Sequence, residues 1–198
     1  MEENYLKDNL MDKDKYGDWC VPPESLELIR SKDPARLTDG QLLSSAFYYQ
    51  LLNIMKKFAT IANEGNDIAH YDDLTTRIKK AFNAKFLNTE KNYYANNTVT
   101  ANVLPLAFGM VPENLIDKVF QNMVHEVEVT KNGHISTGVI GTQFLMRTLT
   151  NFGRGDLAFK LASNKTYPSW GYMVENGATT IWELWNGNTA DPTMNSQN

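Results

Sequence analysis

The chain has 198 residues, 42% hydrophobic and 21% charged, a balance that suits a packed globular protein and excludes a disordered one. Nineteen Lys and Arg against twenty-three Asp and Glu leave a formal net charge of -4, so a nucleic-acid partner, which needs a basic surface, is not expected. No apolar run reaches the roughly 18–20 residues that cross a bilayer, residues 1–16 are too polar for a signal peptide, and the single Cys20 excludes an internal disulfide.

Taken in chain order, the first periodic segment follows Thr38-Asp39-Gly40. Leu43, Phe47, Leu51, Ile54, Phe58 and Ile61 recur in steps of three and four, which predicts a helix with one buried face and Asp39 as its N-cap. Gly65 reads as its C-terminal stop. Tyr71, Leu74, Ile78, Ala81 and Phe82 form the stripe of a second helix, with Arg77, Lys79 and Lys80 toward water. Residues 83–97, rich in Asn and Tyr, read as a loop holding a short extended pair. A third helix is expected over 99–108, where Pro105 should kink or shorten it. After Pro112 comes the cleanest stripe of all, Ile116, Val119, Phe120, Met123, Val124 and Val127. A glycine-bearing connector over 133–141 precedes a helix at 143–149. A short helix at 156–162 would be capped by Asp156. Beyond Ser163 the periodicity stops, the chain turns aromatic and polar, and the tail 186–198 is nearly all small and polar. Helix, turn, antiparallel helix is the rhythm throughout, without a strand pattern of useful length or an exact repeat. The expected class is all-α, a toroid or solenoid of helical hairpins in preference to a compact bundle.

Chemistry concentrates in two irregular segments. All four tryptophans lie there: Trp19 in the first, and Trp170, Trp182 and Trp185 in the second. Tyr16-Gly17-Asp18-Trp19, stiffened by Pro22-Pro23, sets a carboxylate beside an indole. A pyranose could stack on that ring while Asp18 accepts from its hydroxyls, although a turn aspartate and a core tryptophan would leave the same trace. Residues 167–185 hold three tryptophans, two tyrosines and two acids. Trp182 and Trp185 would share a face on a helical turn, with Glu183 beside them. Aromatic walls around a carboxylate raise its pKa by desolvation, and a satellite aromatic core is the competing reading. His134 sits in the glycine-bearing connector, where a site role and a structural one are equally open. His70 and His125 fall within helices. No HxH, HExxH, CxxC or GxSxG spacing is present, and Gly138-Val139-Ile140-Gly141-Thr142 lacks a phosphate loop's lysine. No metal or other cofactor is therefore expected.

Several of these motifs, in this order, resemble the bacterial α-L-rhamnosidases of glycoside hydrolase family 78. They are Tyr16-Gly17-Asp18-Trp19, Thr38-Asp39, Gly133-His134, the 137–142 segment, Tyr167-Pro168-Ser169-Trp170-Gly171-Tyr172-Met173, and Gly177-Ala178-Thr179-Thr180-Ile181-Trp182-Glu183. The resemblance implies an (α/α)6 toroid of six hairpins and an inverting displacement in which one carboxylic acid protonates the leaving oxygen and an opposed carboxylate activates water. It makes Glu183 the general base, and places Asp18, Trp19, His134, Trp170 and Trp182 around the rhamnose, with Trp185 in the wall or the core. The family's Arg-Asp-Glu-Arg acid motif has no counterpart, and the sequence stops after Met194-Asn195 where a site histidine would follow. The chain is thus expected to be the C-terminal portion of one catalytic toroid with no second domain, inactive alone. Its partner would be a rhamnose-containing glycoside, and its open seams would favour self-association. Two other readings compete: a toroidal glycosidase or lyase of different specificity using Tyr172 and His134, and a non-catalytic helical module whose tryptophans stack on sugar.

Overall fold

The computed structural model describes residues 5–12, 17–22 and 37–185. Tyr16, Pro23 and the tail 186–198, with Met194-Asn195, lie outside them. A two-residue antiparallel ribbon, β1 (Leu6–Lys7) with β2 (Leu10–Met11), comes first. Two long helices follow, α1 (Gly40–Ala62) and α2 (Gly65–Phe86), then a second small ribbon, β3 (Leu87–Asn88) with β4 (Tyr93–Tyr94). Helix α3 (Val99–Ala107) leads through a turn at Glu113–Leu115 into α4 (Ile116–His125), which widens into a π-helical stretch at Glu126–Thr130. Helices α5 (Val139–Asn151), α6 (Gly155–Ser163) and α7 (Trp170–Glu175) complete the described chain.

The predicted all-α class holds. The N-cap expected at Asp39 forms, accepting from the Leu42 amide at 3.0 Å, and Thr98, which the sequence reading did not single out, caps α3 by accepting from the Ala101 amide at 3.2 Å. The end of α1 differs from expectation. Asn63 takes the left-handed cap conformation, and Gly65 opens the next helix instead of closing this one. Helix α2 runs on through Asn83, because Phe82 and Phe86 still find core beneath them. The expected extended pair shrinks to β3–β4. Pro105 is accommodated inside the last turn of α3. The expected cap at Asp156 does not form. Helix α6 starts at Gly155, and Asp156 pairs with Arg154 at 3.0 Å. Residues 181–185, read as a possible helical turn, form no helix, yet Trp182 and Trp185 are both buried.

Consecutive helices pair as hairpins, α1 with α2, α3 with α4, α5 with α6, while α3 also touches α1 and α5. Helix α3 is consequently buried from Val99 to Leu106. This alternation has a consequence for function. Connections 87–98, 131–138 and 164–169 each lead into the N-terminus of α3, α5 or α7, while turn 108–115 lies alongside the C-terminal part of α2, where Lys79 and Asn83 donate to the Gly109 and Met110 carbonyls at 2.7 and 2.8 Å.

The α1 stripe is only half used. Leu43 is buried and Phe47 packs on Phe108 and Phe144, but Leu51, Ile54, Met55, Phe58 and Ile61 are exposed, Ile61 by 79%. The described chain lays no second layer against them. Ile61→Lys is therefore expected to leave the unfolding free energy within about 0.5 kcal/mol, whereas Phe82→Ala, at a fully buried site, costs about 3–5 kcal/mol in chemical denaturation.

Candidate functional site

The site is built from the segment 17–22 laid across the start of α5. Asp18 is buried, 5% exposed, and its two oxygens accept four hydrogen bonds. Oδ1 takes the amides of Ile140 at 3.0 Å and Gly141 at 3.1 Å. Oδ2 takes the amide of Gly138 at 2.8 Å and the Thr100 hydroxyl. These are the orphan amides at the head of a helix, satisfied by a carboxylate 120 residues away in sequence. The fit explains two glycines: a Cβ on Gly138 would strike the Trp19 carbonyl, and one on Gly141 the Thr100 hydroxyl. Burial pushes the Asp18 carboxyl above its ordinary range, and the four donors pull back against that. A carboxylate offers about four acceptor positions. In this structure all four are filled from within. Asp18 positions the residue after it.

That residue is Trp19. Its carbonyl accepts from the Val139 amide at 2.7 Å, so its backbone is tied to α5. Its indole is 56% exposed, and its Nε1 donates to Glu183 Oε1 at 3.4 Å across 164 positions of sequence. The two segments singled out in the sequence thus meet. Glu183 is exposed, and the tryptophans flanking it in sequence, Trp182 and Trp185, are buried beside it. Trp170 lies against Trp185, ring centroids 5.6 Å apart at 55°. Trp170 is placed by Ser169, which caps α7 by accepting from the Tyr172 amide at 2.9 Å and donates to the Asn164 carbonyl. Tyr172 packs edge-on against Tyr167 at 5.4 Å.

Cys20, half-buried, is pushed up to about 11 by burial first and by the charges of Glu183 and Asp18 after it. Its thiol is expected to alkylate with iodoacetamide at pH 8 about a hundredfold more slowly than an ordinary thiol, and Glu183→Gln, by removing one of those charges, to speed the reaction. Unchanged kinetics in the variant would mean that Glu183 carries no charge near Cys20.

His134 has both ring nitrogens engaged. Nδ1 meets the Asn132 carbonyl at 2.9 Å, and Nε2 meets the Thr166 hydroxyl at 2.8 Å. Thr166 in turn donates to Asn164 Oδ1 at 2.7 Å, so His134 clips connector 131–138 to connector 164–169. It borders a cavity of about 550 Å3 whose walls include Pro22, Thr98, Glu126, Ser136 and Tyr167. Sequence reasoning passed over Thr100, Glu126 and Ser136. Thr98 alone had a signal, as an N-cap before an apolar run. Among the described residues no group of acids, histidines or cysteines could hold a metal ion, and no helix is long and apolar enough to cross a membrane.

The chain is similar to known proteins. Residues 2–198 match the family model of the bacterial alpha-L-rhamnosidase 6 hairpin glycosidase domain. An alpha-L-rhamnosidase of Formosa agariphila is 32% identical over 196 residues, covering 94% of this chain and 20% of that protein. One from Streptomyces avermitilis is 33% identical over 190 residues, covering 93% and 17%. Among solved structures, the alpha-L-rhamnosidase of Dictyoglumus thermophilum superposes with a TM-score of 0.80 at 35% identity, over 90% of this chain and 20% of that one. The Streptomyces avermitilis alpha-L-rhamnosidase complexed with L-rhamnose does so with a TM-score of 0.81 at 31% identity, over 97% and 17%. The chain therefore spans about a fifth of the length of these relatives. With hairpin order, tryptophan walls and family match in agreement, the chain belongs to the bacterial α-L-rhamnosidase six-hairpin glycosidase family.

Proposed function

We propose that this chain forms one side of the sugar site of an inverting α-L-rhamnosidase and supplies its general base, Glu183. The observation that carries the reading is the contact between Trp19 Nε1 and Glu183 Oε1. It sets an open indole face next to a carboxylate that water can reach, which is what activating water beside a stacked pyranose requires. Trp182, Trp185 and Trp170 form the wall behind the carboxylate. Asp18 acts at one remove by holding Trp19, and His134 by joining two of the connectors that frame the site.

An inverting displacement needs a second carboxyl group roughly 6.5–9.5 Å from the first, protonated and facing the leaving oxygen. Asp18, whose charge is felt at Cys20 together with that of Glu183, is spent on backbone amides. The general acid is then supplied from outside these residues, and turnover depends on it.

Binding tests this reading without needing the acid. L-rhamnose is expected to quench tryptophan fluorescence saturably in the chain as it stands, and Trp19→Ala to weaken that binding about tenfold, the order of one lost aromatic face. A folded chain with no saturable response would count against a sugar site at Trp19.

A further inference from the structure

We infer that the open face of α1 is a self-docking surface, on which a second copy of this chain packs antiparallel across a two-fold axis. The inference is independent of the sugar site.

The face belongs to the free half of the α1–α2 hairpin. Leu52 and Ala59 are buried and Lys56 pairs with Asp72 of α2 at 2.7 Å, so α2 occupies one side of α1. Leu51, Ile54, Phe58 and Ile61, with Met55 beside them, remain open among the described residues. The first four are spaced three, four and three apart. That is the narrow seam by which one helix packs along another, not the broad stripe that sinks into a core. The spacing also reads the same in either direction. An antiparallel copy therefore meets it layer for layer, Leu51 against the partner's Ile61 and Ile54 against the partner's Phe58, with the reverse pairs across the axis. A two-fold interface requires this kind of self-complementarity. The antiparallel direction also keeps the two globular bodies at opposite ends of the seam.

The area is sufficient. The five side chains are exposed by 37–79%. At about 200 Å2 for a side chain of this size they leave roughly 500 Å2 open, the scale of patch that marks an interaction site. Two copies would bury roughly 1,000 Å2 between them, enough for a specific but weak interface. Little new chain has to be ordered, because Asn63 already closes α1 and Lys56 braces it against α2. Lys57, exposed at the edge of the seam, would lie about 3 Å along the axis from its mate, a like-charge pair that salt screens.

Sedimentation equilibrium of the chain at concentrations on both sides of the expected Kd tests the proposal. A monomer–dimer equilibrium with a Kd of about 1–100 μM is expected, the range of small interfaces, and it should tighten as salt rises. Ile61→Lys, which leaves the folding of a single chain unchanged, should weaken the dimer at least about tenfold, and Ile54→Lys, in a central layer, should weaken it further. Circular dichroism and Tm, measured below the Kd, check that each variant is folded. Orientation is read by cross-linking in a Cys20→Ser background. Two copies of Met55→Cys come within about 3 Å along the axis and should be joined by a short bismaleimide, whereas two copies of Ile61→Cys lie about 15 Å apart and should not. A chain that stays monomeric at several times that Kd range, a dimer indifferent to both lysine substitutions, a dimer that salt dissolves, or growth beyond the dimer overturns the proposal. Joining through Ile61→Cys in preference to Met55→Cys overturns the antiparallel seam.

Discussion

Asp18→Ala is expected to cost about 3–5 kcal/mol of folding free energy, the largest loss from any single change near the site. The substitution strands three backbone amides at the head of α5, those of Gly138, Ile140 and Gly141, and the Thr100 hydroxyl. Each orphaned buried donor costs about 1–3 kcal/mol, of which water entering the vacated space recovers a part. Gly141→Ala should fail in the same direction, because its Cβ would displace Thr100 from the same carboxylate. The pH dependence has a definite sign. Burial, the leading influence, raises the folded-state pKa of Asp18 above 3.8, so the contribution of its protonation to stability is complete below 3.8 and is lost as pH rises through the folded value. Thermal denaturation of the wild type against Asp18→Asn, which does not titrate, isolates that term. The wild type should lose ground relative to the variant as pH climbs from 3.8 through the mildly acidic range. A wild type that gains instead would mean that the four hydrogen bonds outweigh burial.

The second expectation concerns turnover. A chimera in which these 198 residues replace the matching segment of the Streptomyces avermitilis alpha-L-rhamnosidase should hydrolyse a nitrophenyl α-L-rhamnoside. Glu183→Gln in that chimera should lower kcat by about 10²–10⁴-fold, the usual contribution of a general base, with a much smaller change in KM. The carboxamide keeps the shape of the side chain and its contact with Trp19, so binding survives while water is no longer deprotonated. The chain alone should show no turnover with or without Glu183, because Asp18, the other carboxylate singled out at the site, has its oxygens taken by backbone amides and Thr100. Robust hydrolysis by the chain alone would overturn that division of labour. A chimera indifferent to Glu183→Gln would remove Glu183 from the reaction.

Much of the scaffold was legible before any coordinates. The stripes of α2 and α4 are carried by residues three and four apart, and such neighbours meet on any helix whatever surrounds it. The cap at Asp39 is equally local, since the accepting oxygen and the donating amide sit three positions apart. The clustering of tryptophans marked both segments of the site, and the order of motifs pointed to the family. Where local rules misled, tertiary contacts had overridden them. Gly65 looked like a helix stop, but Asn63 already filled the left-handed position. The α1 stripe looked like core throughout, yet a stripe says only that one face is apolar. It does not say that anything covers it, and from Leu51 to Ile61 the described chain does not.

Sequence alone determined the helices, their hairpin alternation and the chemical character of the two aromatic segments, because each depends on residues within a turn or two of one another. Only the tertiary structure decided what surrounds each candidate residue. Asp18 reads as a ligand for hydroxyls until the amides of α5, some 120 positions away, are seen to fill its oxygens. Trp19 and Glu183 read as separate features until they meet across 164 positions. Ser136 reads as an ordinary connector residue until its hydroxyl is found buried beside a cavity with no hydrogen-bond partner among the described residues. The reason is physical: hydrogen-bond satisfaction is a property of the whole enclosure around an atom, and that enclosure is assembled from segments that sequence spacing keeps far apart.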